Sequence, residues 1–134
     1  MIATKIKHTN YIVESNAVLK VKFQKFHSTV VSSVNAANII DFLFQEGVIG
    51  EEDMHKLQMQ TDPRQQCRSL LTLLHMSEHP QAFVQLYVAI KAESHLQWLI
   101  DRIDKFTDQS VVISLLQEMY ISEPTGFEMT VHWL

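Results

Sequence analysis

The chain reads as a single all-helical bundle, and three observations carry that reading. Glycine and proline number only three each in 134 residues, too few for the tight turns of a many-stranded sandwich. Four stretches in succession repeat the i, i+3, i+4, i+7 spacing of one helical face. They are Cys67, Leu70, Leu71, Leu74; Phe83, Leu86, Tyr87, Ile90; Leu96, Leu99, Ile100, Ile103; and Val112, Leu115, Leu116, Met119. Capping residues stand at the starts of these stretches and glycines upstream of them, where helix boundaries need them.

The first helix is expected over 14–33, where Leu19, Phe23, Phe26 and Val30 keep one stripe at spacings of four, three and four. The second, over 36–46, rests on Ile40, Leu43 and Phe44. Gly47 and Gly50 bracket the break after it, as a helix-ending glycine does. A third covers 51–60. Asp62 followed by Pro63 opens the fourth, 63–76: the carboxylate caps free N–H groups, and a proline at the first helical position lacks only an N–H that would be unpaired anyway. Pro80 is expected to open the fifth, 80–92, in the same way. Ser94 with Gln97 three residues on reads as a capping box for the sixth, 95–105. A seventh, 109–120, is expected to pack on the domain, or on the same stripe of a second molecule, through Val112, Leu115, Leu116 and Met119, because so apolar a stripe left in water invites aggregation. Connections of two to five residues place neighbouring helices antiparallel or nearly so. No period of ~34–47 residues recurs, so a globular bundle is expected and not a helical repeat. The organisation that follows is an N-terminal extension over 1–13, a helical domain over 14–106, and a C-terminal helix and tail over 107–134.

Composition narrows the function. Apolar residues make up 46%, charged residues 19%, and the net charge is −4, which excludes collagen-like and disordered chains. Cys67 is the only cysteine; a disulfide framework and a cysteine-based zinc site are ruled out, and a reducing, cytoplasmic setting is expected. No apolar run approaches the ~18–20 residues of a membrane span, and the N-terminus lacks the apolar core of a signal peptide. A pI near 5.9 argues against a general nucleic-acid binder. His75 and His79 are four apart but straddle a helix end before Pro80, and no His-Glu-x-x-His pair occurs, so no metal site is expected. Cys67 starts an apolar stripe and acts there as a small hydrophobe. Neither a glycine-rich phosphate loop nor a Gly-x-Ser-x-Gly elbow occurs. The expectation is a protein with no enzyme activity, no catalytic residue and no cofactor, and with neither nucleic acid nor membrane as a partner.

Charge placement says more. Residues 1–37 carry Lys5, Lys7, Lys20, Lys22 and Lys25 against Glu14, a net +4. Residues 38–62 carry Asp41, Glu46, Glu51, Glu52, Asp53 and Asp62 against Lys56, a net −5. Both charges of the fourth helix are basic, Arg64 and Arg68, four apart and hence on one face. The first and fourth helices are thus basic and the second and third acidic. Opposite patches on one small domain suit head-to-tail association.

Three segments resemble a known family. Ile39-Ile40-Asp41-Phe42-Leu43-Phe44-Gln45-Glu46-Gly47-Val48-Ile49 is similar to the second helix of caspase-recruitment domains (CARDs), where an apolar helix ends in a Glu-Gly-like turn before two aliphatics and an acidic third helix. The stretch from Thr61 to Leu74 resembles the family's fourth helix, with its basic start and leucine run. Pro80 to Ile90 resembles the fifth, with its Ala-Phe pair, and Leu96 to Ile103 would be the sixth. The likeness covers 14–106 and is closest in character to CARDs of apoptotic adaptors, initiator caspases and apoptosome scaffolds. It implies a six-helix antiparallel Greek-key bundle (the death fold), often with a bent or broken first helix, and here with an additional C-terminal helix or tail. It also implies homotypic CARD–CARD binding that recruits a caspase or signalling partner in apoptosis or innate immunity. The partner would be an initiator caspase, adaptor or receptor that carries a CARD, or a second copy of this chain. By position, Lys20, Lys22, Lys25, Arg64 and Arg68 would supply the basic face of that interaction. Asp41, Glu46, Glu51, Glu52 and Asp53 would supply the acidic one. The alternatives are a death-effector, death or pyrin domain, or a helical regulator that takes a partner helix into an apolar groove. Against the first, Arg102-Ile103-Asp104-Lys105 only approaches the Arg-x-Asp-Leu motif.

Overall fold

The computed structural model describes residues 14–122; the expected extension over 1–13 and the tail beyond Ser122 lie outside them. Among the described residues the secondary structure is helical, without strands. In order come α1 (Asn16–Lys25), α2 (His27–Ser33), α3 (Ala37–Gln45), α4 (Glu51–Gln58), α5 (Pro63–Met76) and α6 (Ala82–Lys91). A 3₁₀ turn (Ser94–Leu96) then runs into α7 (Gln97–Lys105), and α8 (Gln109–Ser122) follows.

The expected single first helix is two. Phe26 takes φ −99°, ψ 18°, and its carbonyl then starts α2 by accepting the Val30 N–H at 2.9 Å. Its ring meets Phe106 edge-on at 5.2 Å between centroids, so the break lets Phe26 hold the far end of the bundle while Val30 and Val31 stay in the core. The end of α3 is as the glycine foretold. Gly47 sits at φ +78°, its N–H reaches the Phe44 carbonyl at 3.0 Å, and the Val48 N–H reaches Leu43 at 2.9 Å. Those two bonds satisfy the last carbonyls of the helix in a Schellman arrangement, which needs the left-handed residue that glycine tolerates. Asp62 caps α5 through the Arg64 N–H at 3.1 Å, with Pro63 at the first helical position.

Two expected helix starts are corrected. Pro80 lies in a turn, and α6 begins at Ala82; its early N–H group on Phe83 is satisfied from across the bundle by Asn16 Oδ1 at 2.6 Å. Ser94 belongs to the 3₁₀ turn and caps nothing, while Gln97 donates to Asp101 at 3.0 Å on its own helix. No capping box forms.

Helices distant in sequence pack together: α1 and α3 both lie on α6, α2 lies on α5, and α4 lies on α3 and α5, with α7 against α6. The stripes of α5, α6 and α7 are buried in full, and Leu19, Phe23, Ile40 and Leu43 join them. Phe23 stacks on Phe83 at 5.9 Å. Two polar residues lie inside as well, Gln66, which donates to the Leu57 carbonyl at 3.0 Å, and Lys22. Lys22 is 1% exposed, held by the Glu14 carboxylate and by the Asp104 carbonyl at 3.4 Å. Tyr87 completes the cluster by donating to the Asp104 carboxylate at 2.7 Å.

The last helix packs on α1 as expected, but with another side. Val111 is the buried residue, next to Asp108, which accepts its N–H at 3.0 Å. Val112, Ile113, Leu116 and Met119 face outward at 41–60% exposure, and of the expected stripe Leu115 alone is half-buried. The run from Val111 to Leu116 is apolar on nearly every side, so its periodicity defines no unique inner face.

Candidate interaction surface

The acidic residues come together. α3 and α4 are packed neighbours, and the Gln58 side chain of α4 donates to Asp41 of α3 at 3.1 Å. Glu51 and Glu52 are exposed and Asp53 half-buried in the first turn of α4. There the helix dipole favours negative charge, which is reason enough for local acidity. Glu46 is exposed where α3 ends. Lys56 stands 4.0 Å from Glu52 in an exposed pair that neutralises little. The result is a net-negative surface across two helices.

The basic side contracts. Arg64 and Arg68 are exposed on α5; Arg68 donates to Gln65 at 3.0 Å, and neither arginine forms an ion pair among the described residues. Lys20 is exposed on α1, near enough to the last turn of α5 for its charge to act on His75. Lys22 is corrected: it is buried with Glu14 and cannot meet a partner. Its position three after Leu19 and four after Val18, both buried, already puts it on the inner face of α1. Lys25 is also displaced. It is 44% exposed and 3.9 Å from Asp108, turned to the flank that α8 covers. Lys20, Arg64 and Arg68 remain.

Along the outside of α5 runs an open groove of about 430 Å³, lined by Gln65, Arg68, Ser69, Thr72, Leu73 and Met76. Met76 is 76% exposed. Leu73 and Met76 lie off the buried stripe of their helix, the one mark of this groove in the sequence. Phe44, expected in the core, is 39% exposed at the rim of the acidic surface.

Cys67, His75 and His79 sit in three unlike settings. Burial pushes the Cys67 thiol up to about 11, against the opposing charge of Arg68, and its sulfur lies 3.8 Å from the Val30 carbonyl as a buried donor. His75 has its proton affinity lowered by burial first, then by the charges of Lys20 and His27. Its ring lies 4.7 Å from that of Phe83, and its Nε2 is buried with no hydrogen-bond partner among the described residues. His79 turns away to accept the Gln81 N–H at 3.0 Å. Among the described residues no group of three or more His, Cys, Asp or Glu could hold a metal ion, and no helix is long and apolar enough to cross a membrane.

The family model of the caspase recruitment domain matches residues 22–103, from within α1 to within α7, and leaves α8 outside. Among curated proteins and among solved structures, nothing matches the chain. The match spans more than half the chain and falls on an all-helical bundle. The protein belongs to the caspase recruitment domain family, whose members are interaction domains that bind one another.

Proposed function

We propose that the domain, over 14–106, recruits a caspase or signalling partner by charge-guided homotypic binding in apoptosis or innate immune signalling. Lys20, Arg64 and Arg68 of one domain meet acidic residues of the other, and the surface of Asp41, Glu46, Glu51, Glu52 and Asp53 serves in the opposite sense. The observation that carries this reading is the pair Arg64 and Arg68: exposed, four apart on one helix, and free of ion pairs among the described residues. A cytoplasmic setting, where Cys67 stays a thiol, suits this role.

The test is binding of the full chain to purified caspase recruitment domains of initiator caspases and adaptors. Each exposed ion pair contributes only ~0.2–1 kcal/mol, so the informative variant reverses both arginines, Arg64→Glu with Arg68→Glu. Repulsion then adds to lost attraction, and binding of the cognate domain should collapse. It should return when the partner's acidic face is reversed to lysine. Wild-type binding should weaken as salt rises, because the Debye length contracts from ~10 Å at 0.1 M to ~3 Å at 1 M. Salt-insensitive binding that ignores the double reversal would refute the charge-guided contact.

A further inference from the structure

We propose that two copies of this chain pair through the outer face of α8, antiparallel, with Val112 of each against Leu116 of the other. This contact is separate from the charge-guided binding above and does not depend on it.

α8 carries two stripes. Val111, Ser114 and Glu118, spaced three and four, are buried or half-buried, and the helix packs on α1. Val112, Leu116 and Met119, spaced four and three, lie on the opposite side with Ile113 beside them, exposed at 41–60%. The outer spacing is that of a seam that takes another helix. From Gln109 to Met119 the one charged residue is Glu118, and it belongs to the half-buried stripe. The outer face is therefore apolar and uncharged, with Gln109 and Gln117 at its rim.

The occupant follows from that character. A second copy brings the same seam at the same spacing. The two meet there without like-charge repulsion, although each chain has a net charge of −4. A two-fold contact also closes on itself: each copy covers the other's apolar face, and nothing is left to recruit a third. The order of side chains selects the antiparallel pair. By spacing, Leu116 falls where two-stranded parallel seams take a β-branched residue, and Val112 where they take leucine. Running antiparallel, each short valine lies against a longer leucine. Side chains about half exposed offer roughly a few hundred Å² per copy, below the ~800 Å² per partner of a standard interface. The pair is therefore weak and forms as concentration rises.

Sedimentation equilibrium of the full chain in 1 M NaCl is the test, because charge contacts are screened there to ~3 Å and apolar ones are not weakened. The chain should pass from monomer to dimer, and no further, over roughly tens to hundreds of micromolar. Leu116→Lys, at an exposed position, should keep the helical content and weaken the dimer about tenfold or more. Arg64→Glu with Arg68→Glu should leave the dimer as it is in 1 M salt, which separates this contact from the charge-guided one. Cross-linking reads the register. Full-length Val112→Cys and Leu116→Cys copies, tagged to differ in size, are mixed and oxidised with diamide; the native Cys67 is buried and stays silent. A disulfide needs Cα atoms within ~7 Å, so the mixed product should exceed both homodimers together. A chain that stays monomeric, whether its own residues 123–134 cover α8 or nothing does, overturns the inference. So does a dimer indifferent to Leu116→Lys, a dimer lost with the arginine reversals in 1 M salt, or homodimers as abundant as the mixed product.

Discussion

Asn16 shows how much a single side chain can join. Its carboxamide accepts the Phe83 N–H at 2.6 Å from 67 positions away, so the first helix caps the sixth. Asn16→Ala leaves that N–H unpaired beneath the surface and should cost about 1 kcal/mol, read as a lower denaturation midpoint at constant slope. His75 ties stability to pH. Burial and the charges of Lys20 and His27 hold its folded affinity for a proton below the ordinary value of 6.5. On acidification the unfolded chain is protonated first. Stability from this residue is therefore complete above pH 6.5 and lost as pH falls through 6.5 towards the lower folded value. Urea midpoints at pH 7.5 and 5.5 should differ more for wild type than for His75→Leu, which packs on Phe83 without a charge to gain.

Among the elements, α5, α6 and α7 bury the residues that their sequence spacing names. Leu71→Ala and Phe83→Ala should each cost about 2–5 kcal/mol by chemical denaturation. α8 is the sharper case. Because Val111 is buried and Val112 exposed, Val111→Ala should cost about 1–2 kcal/mol and Val112→Ala no more than about 0.5 kcal/mol; the reverse order would restore the face that periodicity favoured. What was legible in the sequence divides along one line. Stripes with a polar opposite face, such as Cys67 to Leu74, and caps made by neighbours, such as Asp62 and Gly47, can be read because their physics is local. The rest depends on residues far along the chain. Lys25 loses its place on the basic face to Asp108, and the start of α6 depends on Asn16. Lys22 is intermediate, since its helical position was legible and only its charge argued for the surface. The groove on α5 could not be read, because a hollow is made by what surrounds a helix as much as by the helix itself.

At the scale of the whole molecule, the charges divide into an acidic side over α3 and α4 and a smaller basic side on α1 and α5. The cluster beneath them has a consequence for the ends of the bundle. Lys22 holds Glu14, which precedes α1, together with Asp104, 82 positions beyond the lysine in the last turn of α7. The start of α1 and the end of α7 therefore meet at one pole. A circular permutant of residues 14–105 that joins Lys105 to Glu14 through a short Gly-Ser linker, opened between Gln60 and Thr61, should keep the helices α1 to α7 and a single cooperative transition; a molten product would show that the two ends are not neighbours. One buried ammonium thus ties the entry of α1 to the last turn of α7, so loosening either of those two ends should fray the other with it.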